Sequence, residues 1–368
     1  MLYIVKPEGG DSPRLNRVVE YALSGLAKNE YEIIDSLDEL RSLSEKGFSG
    51  DGFIFALSIP ENGFAPKWYE LLSYLSFRVG FFDGTRGGVI VDGDGELYTK
   101  DMARRLIFAC NSAGMSFPGK PLVEATGTLY NFSTSAMVRG MDKMGAYMEA
   151  AKELVEKVRN ASLVENGLRG NKGSAHEKRI VMIHAGAKET SNSLMLWEMV
   201  KESMETQIPK VDHNLKIEEI SVRNGEIVDC RGCGFEACRH FGEKGDCFYG
   251  GPMVDKVYPA VLDCDALVLV CPNYNDAVGA NMMAVFNRLT ALFYNNDFSE
   301  KEIYALVVSG YSGGDIVALQ IIGAMNINKG FNLPPYFALI ATANDPGSIK
   351  EAPNIDERAE DFAKRLLL

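Results

Sequence analysis

The stretch Ala266-Leu267-Val268-Leu269-Val270-Cys271-Pro272-Asn273-Tyr274-Asn275-Asp276 decides the fold of this chain. Its first five residues are apolar, and they have the length and composition of a buried strand. A proline and a tyrosine follow, and then a helix that opens around Asn281, where apolar residues repeat at helical spacing: Met282, Val285, Phe286 and Leu289. A strand that ends in a stiff, aromatic loop at the carboxyl edge of an α/β sheet favours the binding of a flat ligand.

Two more loops follow hydrophobic strands in the same half of the chain. The strand 179–183 leads into the segment 185–193, which ends in hydroxyl and amide side chains ahead of an apolar helical run. Hydroxyls and unpaired amides at a helix start suit a phosphate dianion, and they suit an ordinary helix N-cap equally well. The strand 305–308 leads into the glycine-rich segment 309–315, whose glycines let the backbone approach a bound ring.

Taken in this order, the three loops resemble those of the NADPH-dependent FMN reductase branch of the flavodoxin-like superfamily, which includes iron–sulfur flavoproteins. In that family a strand-Ser-Pro-x-Tyr segment cradles the flavin ring, and a helix ending in Asp/Asn-Arg follows. Ala284-Val285-Phe286-Asn287-Arg288 stands in that place here. The first loop departs from the family pattern, because Gly186 and Ala187 replace its serine and proline.

The resemblance implies an FMN site on the three loops and NAD(P)H as the hydride donor. The cofactor-binding residues that it implies are Lys188, Thr190, Ser191, Asn192, Ser193, Pro272, Asn273, Tyr274, Asn275, Asp276, Ser309, Gly310, Tyr311, Gly313, Gly314 and Asp315. Electrons would pass to flavin, quinone or another small-molecule or protein acceptor, with no protein acid or base required because the chemistry belongs to the flavin. Two alternatives stay open: an iron–sulfur flavoprotein that carries electrons between partner proteins, and a ligand-binding or scaffold protein without redox activity.

Length and composition narrow the class of protein. A chain of 368 residues predicts two domains, and 46% hydrophobic with 24% charged residues is ordinary for a globular protein. A net charge of −12 argues against nucleic acid as a partner, which needs concentrated Lys and Arg. No apolar run reaches the length of a membrane span, the segment 1–5 is too short for a signal peptide, and the seven cysteines suit a reducing compartment. We therefore expect a cytoplasmic protein.

The first half of the chain repeats the order of the second. Strands alternate with helices in both halves, which predicts an α/β fold of two flavodoxin-like, doubly wound parallel-sheet domains. The strand 121–123 of the first half matches the segment 335–339 of the second. We expect a degenerate domain without FMN at 1–158, a polar, glycine-containing linker at 159–178, and an FMN-binding domain at 179–368.

The first copy carries carboxylates where the second has its ligand loops. Glu8 and Asp11 occupy the phosphate-loop position, and Asp92, Asp94 and Glu96 lie in the third loop. Such charges would repel a phosphate and a reduced flavin. The chain is then expected to be a monomer that forms a pseudo-dimer, or a homo-oligomer. In the pseudo-dimer, aromatic residues of the first copy would cover the flavin: Phe64, Trp68 and Tyr69, or the pair Phe81 and Phe82.

Four cysteines lie close together in the segment 230–247 of the second half. The spacing of Cys230, Cys233, Cys238 and Cys247 is Cys-x2-Cys-x4-Cys-x8-Cys. Four thiolates in so short a loop are able to wrap a [4Fe–4S] cluster. The iron–sulfur flavoproteins resembled here have a tighter spacing, so zinc with His240, or no metal, stays open. Cys264 and Cys271 lie at the ends of predicted strands. They and Cys110 are expected to be buried apolar groups.

Overall fold

The computed structural model describes residues 1–7, 12–44, 47–48, 50–76, 78–161, 177–207, 214–223, 227–293 and 295–368. The chain divides into two compact units. Unit 1 contains Met1–Leu163 and Leu333–Tyr336, and unit 2 contains Val164–Asn332 and Phe337–Leu368. Glu8, Asp11 and most of the expected linker 159–178 lie outside the described residues.

Unit 1 is a five-stranded parallel sheet with helices in the connections. Its strands are β1 (Leu2–Val5), β2 (Tyr31–Ile34), β3 (Gly52–Ile59), β4 (Arg86–Gly93) and β5 (Leu122–Ala125). Its helices are α1 (Pro13–Leu23), α2 (Leu37–Ser44), α3 (Pro66–Leu75), α4 (Thr99–Ser112), α5 (Ser133–Arg139) and α6 (Lys143–Asn160). The strand order across the sheet is β2-β1-β3-β4-β5.

Unit 2 has a six-stranded sheet. Its strands are β6 (Lys178–His184), β7 (Leu215–Ser221), β8 (Ala266–Tyr274), β9 (Ala277–Val278), β10 (Glu302–Ser309) and β11 (Ala338–Thr342). Its α-helices are α7 (Asn192–Gln207), α8 (Phe235–Gly242), α9 (Tyr258–Asp263), α10 (Ala280–Arg288), α11 (Thr290–Phe293), α12 (Gly314–Ile321) and α13 (Ile355–Leu367). Two π-helical segments, Met253–Val257 and Ile322–Lys329, precede α9 and follow α12.

The two sheets have the same topology. In unit 2 the order β11-β10-β8-β6-β7, read from its other edge, repeats the order of unit 1, and β9 adds a short antiparallel pair to β8. The other strand pairs are parallel. This is the flavodoxin-like order, which places a ligand at the carboxyl ends of the first and third strands. The expected fold class is confirmed.

Each sheet is covered by the apolar faces of its helices. In unit 1, Leu15, Val18 and Tyr147 from α1 and α6 pack in one buried cluster with strand residues such as Ile54 and Ile90. In unit 2, residues of α7 and α13 pack in the same way against β6, β8 and β10. The alternating βα pattern of the sequence follows from this burial, since a parallel sheet needs helices on both faces.

The aromatic residues expected to cover a flavin have mixed positions in unit 1. Trp68 and Phe82 are buried in the core of that unit, at 1% and 0% exposure. Phe64 and Tyr69 are exposed, and their rings lie 6.1 Å apart. Trp68 and Phe82 therefore stabilise unit 1 itself. For Phe64 and Tyr69 the pseudo-dimer arrangement stays a prediction.

The prediction that the last strand begins at Pro335 is wrong, because β11 begins at Ala338. Pro335 and Tyr336 precede β11 and belong to unit 1, although they lie in the second half of the sequence. The Tyr336 hydroxyl donates to Asp83 Oδ1 at 2.6 Å, and it accepts a hydrogen bond from the Gly80 amide at 3.1 Å. These hydrogen bonds hold the segment in unit 1, and strand propensity contains no information about them.

The carboxylate of Asp92 is not free to repel a ligand, which corrects the expectation. Asp92 is 0% exposed, and Arg14 Nε and Nη2 each lie 2.9 Å from one of its oxygens. Nη1 and Nη2 of the same guanidinium also donate to the carbonyls of Gly127 and Gly93. The carboxyl edge of β4 and β5 is therefore occupied by a neutralised internal ion pair.

Among the helices of the described residues, none combines the length and the apolar character that a membrane crossing requires.

Candidate functional site

The deciding stretch forms a hairpin in unit 2. Pro272 and Tyr274 lie within β8, because the strand extends further than its apolar run, and Asn273 and Tyr274 pair with Val278 and Ala277 of β9. The two-residue turn, Asn275 and Asp276, has positive φ angles of 53° and 55°. Asn and Asp tolerate this left-handed backbone better than other non-glycine residues, as two-residue hairpin turns require.

The first predicted loop forms the start of α7. Ser191 Oγ accepts a hydrogen bond from the Leu194 amide at 3.3 Å, so it acts as the helix cap. Thr190 is exposed beside it, whereas Ser193 is 1% exposed. The amino end of this sixteen-residue helix therefore combines hydroxyl groups with the positive end of the helix dipole.

The side chain of Asn192 is hydrogen-bonded to the loop after β11. Its Nδ2 donates to the carbonyls of Ala343 and Asp345 at 3.2 Å and 2.8 Å. Its Oδ1 accepts hydrogen bonds from the amides of Gly347 and Ile349 at 2.9 Å and 3.4 Å. Asn192 thus fixes the loop after β11 to the phosphate-loop position.

The third predicted loop packs closely on the hairpin. Asn273 Nδ2 donates to the Ser312 carbonyl at 2.7 Å. Gly313 has a φ of 82°, and a Cβ there would clash with Asp276 Oδ1 and lie 2.8 Å from Asn273 Nδ2. The positive φ favours glycine at this position, and an added Cβ would require the ends of both side chains to shift.

One cavity of about 490 Å³ brings the three loops together. Its lining residues are Thr190, Ser191, Asn192, Ser193, Pro272, Asn273, Tyr274, Asn275, Asp276, Val308, Gly310, Tyr311, Ser312, Ala343 and Asn344. Five residues implied by the resemblance are not among them: Lys188, Ser309, Gly313, Gly314 and Asp315. The sequence reasoning missed the loop after β11, whose signal was the polar pair Asn344-Asp345 directly behind an apolar strand.

The lining chemistry suits FMN. Among the described residues that line this cavity, Asp276 alone is charged, so the groups suited to a phosphate here are hydroxyls and helix amides. Asn273 Oδ1 is a buried acceptor with no partner in the described structure. A ring N–H group is able to satisfy it. Tyr274 and Tyr311 are 59% and 82% exposed and offer aromatic faces to a planar molecule.

His184, at the end of β6, is buried, and its Nδ1 has no partner among the described residues. Burial lowers the pKa of His184, and Lys188 lowers it further, while Glu219 and a backbone hydrogen bond with Gly186 act in the opposite direction. The imidazole is therefore neutral, which fits a core histidine.

The four clustered cysteines line a second cavity of unit 2, of about 200 Å³. Cys238 lies on α8, so the expected flexible loop contains a helix. Within the described ranges, no three His, Cys, Asp or Glu side chains are arranged to hold a metal ion. The thiols share one cavity but are not gathered at ligand distances.

The other three cysteines behave as apolar groups, as expected. Cys110, Cys264 and Cys271 are buried. Burial raises the pKa of Cys264 and of Cys271 to about 12, so both are protonated thiols at neutral pH.

Comparison with known proteins finds a family model that matches part of unit 2. Residues 178–345 match the model of the family described as NADPH-dependent FMN reductase. The match confirms the resemblance found in the sequence, which implies an oxidoreductase that uses FMN and a reduced nicotinamide.

Among solved structures, the chain is similar to an NAD(P)H:quinone oxidoreductase from Methanothermobacter marburgensis, at 16% identity and a TM-score of 0.39 over 52% of this chain and 96% of that one. It is also similar to an FMN-dependent NADH-azoreductase from Bacillus anthracis in complex with FMN, at 14% identity and a TM-score of 0.36 over 52% and 100%. No curated protein matches the chain.

Proposed function

We propose that this chain, whose residues 178–345 match the model of the NADPH-dependent FMN reductase family, binds FMN in unit 2 and transfers electrons from NAD(P)H to a planar acceptor such as a quinone or flavin. The observation that carries the proposal is the single cavity lined by all three predicted loops. Their convergence at the carboxyl edge of the sheet, where this fold binds ligands, follows from the strand order.

Each group of lining residues has its own binding role in this proposal. Thr190, Ser191 and the first amides of α7 hold the phosphate. The hairpin residues 272–276 and the glycine loop 310–313 hold the ring, and Asn273 Oδ1 accepts a hydrogen bond from it. Tyr274 and Tyr311 stack on the nicotinamide or the acceptor. Bound FMN supplies hydride acceptance and electron transfer, while the chain supplies binding and orientation.

Thr190→Val tests the phosphate contact. Valine keeps the shape of threonine and removes the hydroxyl. We expect FMN affinity, measured by quenching of flavin fluorescence, to fall by about 1.5–3 kcal/mol. The affinity for riboflavin, which lacks the phosphate, should not change. Thr206→Val near the other end of α7, where the hydroxyl donates to the Ser203 carbonyl, is the matched control.

Catalysis is tested by NADPH and NADH oxidation with quinone, azo-dye and flavin acceptors in the presence of FMN. Turnover with any acceptor supports the reductase. A protein that binds no FMN, or that binds it without oxidising either nicotinamide, contradicts the proposal.

The domain assignment is part of the same proposal. FMN is assigned to residues 179–368 and not to 1–158. This is supported by the ion pair between Arg14 and Asp92, which occupies the carboxyl edge of the sheet in unit 1. Asn273→Leu should abolish FMN binding by the full chain, because it places an apolar group against the ring and removes the acceptor. Residual stoichiometric FMN binding in that variant would point to unit 1.

The cysteine spacing leaves a second candidate, electron transfer through an iron–sulfur centre. Cys230, Cys233, Cys238 and Cys247 all line one cavity. The proposed ligand set is these four thiolates, with a [4Fe–4S] cluster as the occupant. Iron and acid-labile sulfide, determined on anaerobically purified protein, distinguish a cluster from zinc and from free thiols.

A further inference from the structure

The only charged side chain among the described residues that line the cavity of the three loops is held in a fixed position. It is Asp276, in the turn of the β8–β9 hairpin. Asn273 Nδ2 donates to its Oδ1 at 3.3 Å, and Gln320 Nε2 donates to its backbone carbonyl at 3.3 Å. Gln320 Oε1 also accepts a hydrogen bond from the Val278 amide at 2.9 Å, which ties the hairpin to α12. The carboxylate therefore stays at the tip of the hairpin.

The charge of Asp276 is not neutralised by an ion pair. Among the side chains that the structure describes, no cation lies within ion-pair distance of this carboxylate. Lys188, in the first loop, does not line the cavity, and its charge acts on His184 and Glu219. Asp276 therefore gives the cavity an uncompensated negative charge.

Two more carboxylates lie near the same cavity. Asp315 is in the first turn of α12, two residues after Gly313, and an added Cβ at Gly313 would lie 2.1 Å from Asp276 Oδ1. Asp345 directly follows the lining residue Asn344, and both aspartates are exposed. The phosphate of bound FMN would add further negative charge. The charges around the cavity thus have the same sign and reinforce one another.

An acceptor in this cavity would lie close to the carboxylate. Tyr274, one of the two rings proposed above to stack on the acceptor, precedes Asp276 by two residues, so their Cα atoms are at most about 7 Å apart. This is shorter than the Debye length of about 8 Å at physiological ionic strength, so salt screens the charge only in part. An anionic acceptor is repelled at this distance, whereas an uncharged one is not.

We propose that Asp276 is a specificity-determining residue, which makes the cavity favour uncharged planar acceptors over planar acceptors that carry a sulfonate or a carboxylate. The inference rests on the proposed function and names the class of its acceptor. With a quinone as acceptor, NAD(P)H loses a hydride and becomes NAD(P)+. The quinone gains that hydride equivalent and a proton from the solvent, and becomes a hydroquinone.

The test compares naphthoquinone with naphthoquinone monosulfonate, two acceptors that differ by one negative charge. Oxidation of NADH by the full chain with FMN gives kcat/KM for each acceptor, and the ratio of the two values is compared between variants. In Asp276→Asn the ratio should move about threefold to tenfold towards the sulfonate, because one repulsive charge is removed. Asparagine tolerates the left-handed backbone of this turn, so the hairpin should keep its shape.

Asp361→Asn is the matched control. Asp361 is an exposed carboxylate of α13 that does not line the cavity, so D361N changes the net charge equally without changing the site. Its ratio should equal that of the wild type. Sodium chloride at about 1 M, where the Debye length is about 3 Å, should remove most of the difference between the wild type and D276N. Equal ratios in all three proteins, or equal shifts in D276N and D361N, would overturn the proposal.

Equilibrium dialysis of the two quinones against the full chain, with and without FMN, is a readout that needs no turnover. Relative to naphthoquinone, the sulfonate should bind about threefold to tenfold more tightly to D276N than to the wild type. Binding of neither quinone, or the same relative affinity in both proteins, would contradict the role of Asp276. A chain that shows the shift in dialysis but oxidises no nicotinamide contradicts the reductase alone, and normal turnover with an unchanged ratio contradicts the role of Asp276 alone.

Discussion

At the scale of single residues, Asn192 has a role that differs from the one implied by the family pattern. The pattern implies a phosphate ligand, whereas its amide makes four hydrogen bonds to the loop 343–349. This loop contributes Ala343 and Asn344 to the cavity wall. We therefore expect Asn192 to affect ligand binding through the position of a neighbouring loop.

Asn192→Ala should lower the free energy of unfolding of unit 2 by about 1–3 kcal/mol, because buried backbone groups lose their partners. We expect FMN and riboflavin to bind more weakly by similar factors, since the whole wall is displaced. Urea unfolding and fluorescence titration provide the measurements. Asn328→Ala removes an exposed amide with one carbonyl partner, that of Gly323, and serves as the control. Weakening of FMN alone would assign Asn192 to the phosphate.

His184 should make the stability of the protein depend on pH. Its pKa in the folded state is lowered by burial from an ordinary value of about 6.5, so the unfolded chain binds the proton more readily. The stabilisation is complete above pH 6.5 and is lost as the pH falls towards the lowered pKa. His184→Asn should flatten the urea-midpoint profile between pH 7.5 and 5.5, approximately. An unchanged slope in this variant would assign the pH dependence to other groups.

At the scale of elements, the contact between the β8–β9 hairpin and the loop before α12 determines the shape of the cavity. Gly313 fits against Asp276 and Asn273, where an added Cβ would displace the ends of both side chains. The residues 309–315 were predicted as a ring-binding loop because of their glycines, yet Gly313 and Gly314 do not line the cavity. Gly313 instead allows the two loops to pack.

Gly313→Ala should lower FMN affinity by at least about tenfold, because it adds a steric clash to the strain of a left-handed backbone. Gly140→Ala in unit 1 is the matched control, with a φ of 65° and no atom within 4 Å of the added Cβ. The control should lose stability and keep its FMN affinity. Equal FMN affinity in the two variants would show that the clash is relieved by a shift elsewhere.

At the scale of the whole molecule, the chain does not divide at one point. The segment Leu333–Tyr336 belongs to unit 1, although β10 before it and β11 after it belong to unit 2. Asn111, which is 1% exposed, holds it by donating from Nδ2 to the Pro334 carbonyl at 2.7 Å and to the Met115 carbonyl at 2.9 Å.

Asn111→Ala should destabilise unit 1 by about 1–3 kcal/mol through the buried carbonyls that it leaves unpaired. The two tryptophans of the chain allow this to be measured, since Trp68 is buried in unit 1 and Trp197 in unit 2. In a Trp197→Phe background the Trp68 fluorescence midpoint in urea should fall. The size of any change in the Trp197 midpoint, followed in a Trp68→Phe background, reports how far the two units unfold together. An unchanged Trp68 midpoint would contradict the assigned role of Asn111.

The amino-acid sequence by itself determined the fold and the location of the candidate site. Apolar runs such as Ala266–Val270 predict buried strands because burial on both faces of a parallel sheet requires them. The order of strands and helices then fixes where loops meet, so the hairpin and the loops around Thr190 and Gly310 were predicted to converge. These are local patterns, and local patterns can be identified directly in a sequence.

The tertiary structure decided the partners of individual side chains. Arg14 neutralises Asp92 across 78 positions of the chain, and Asn192 reaches Gly347 across 155. The sequence showed Arg288 only as part of a helix motif. In the structure its buried guanidinium donates to backbone carbonyls on either side of four cysteines. Such contacts depend on distances between segments that are remote in sequence, and propensity and periodicity contain no information about those distances.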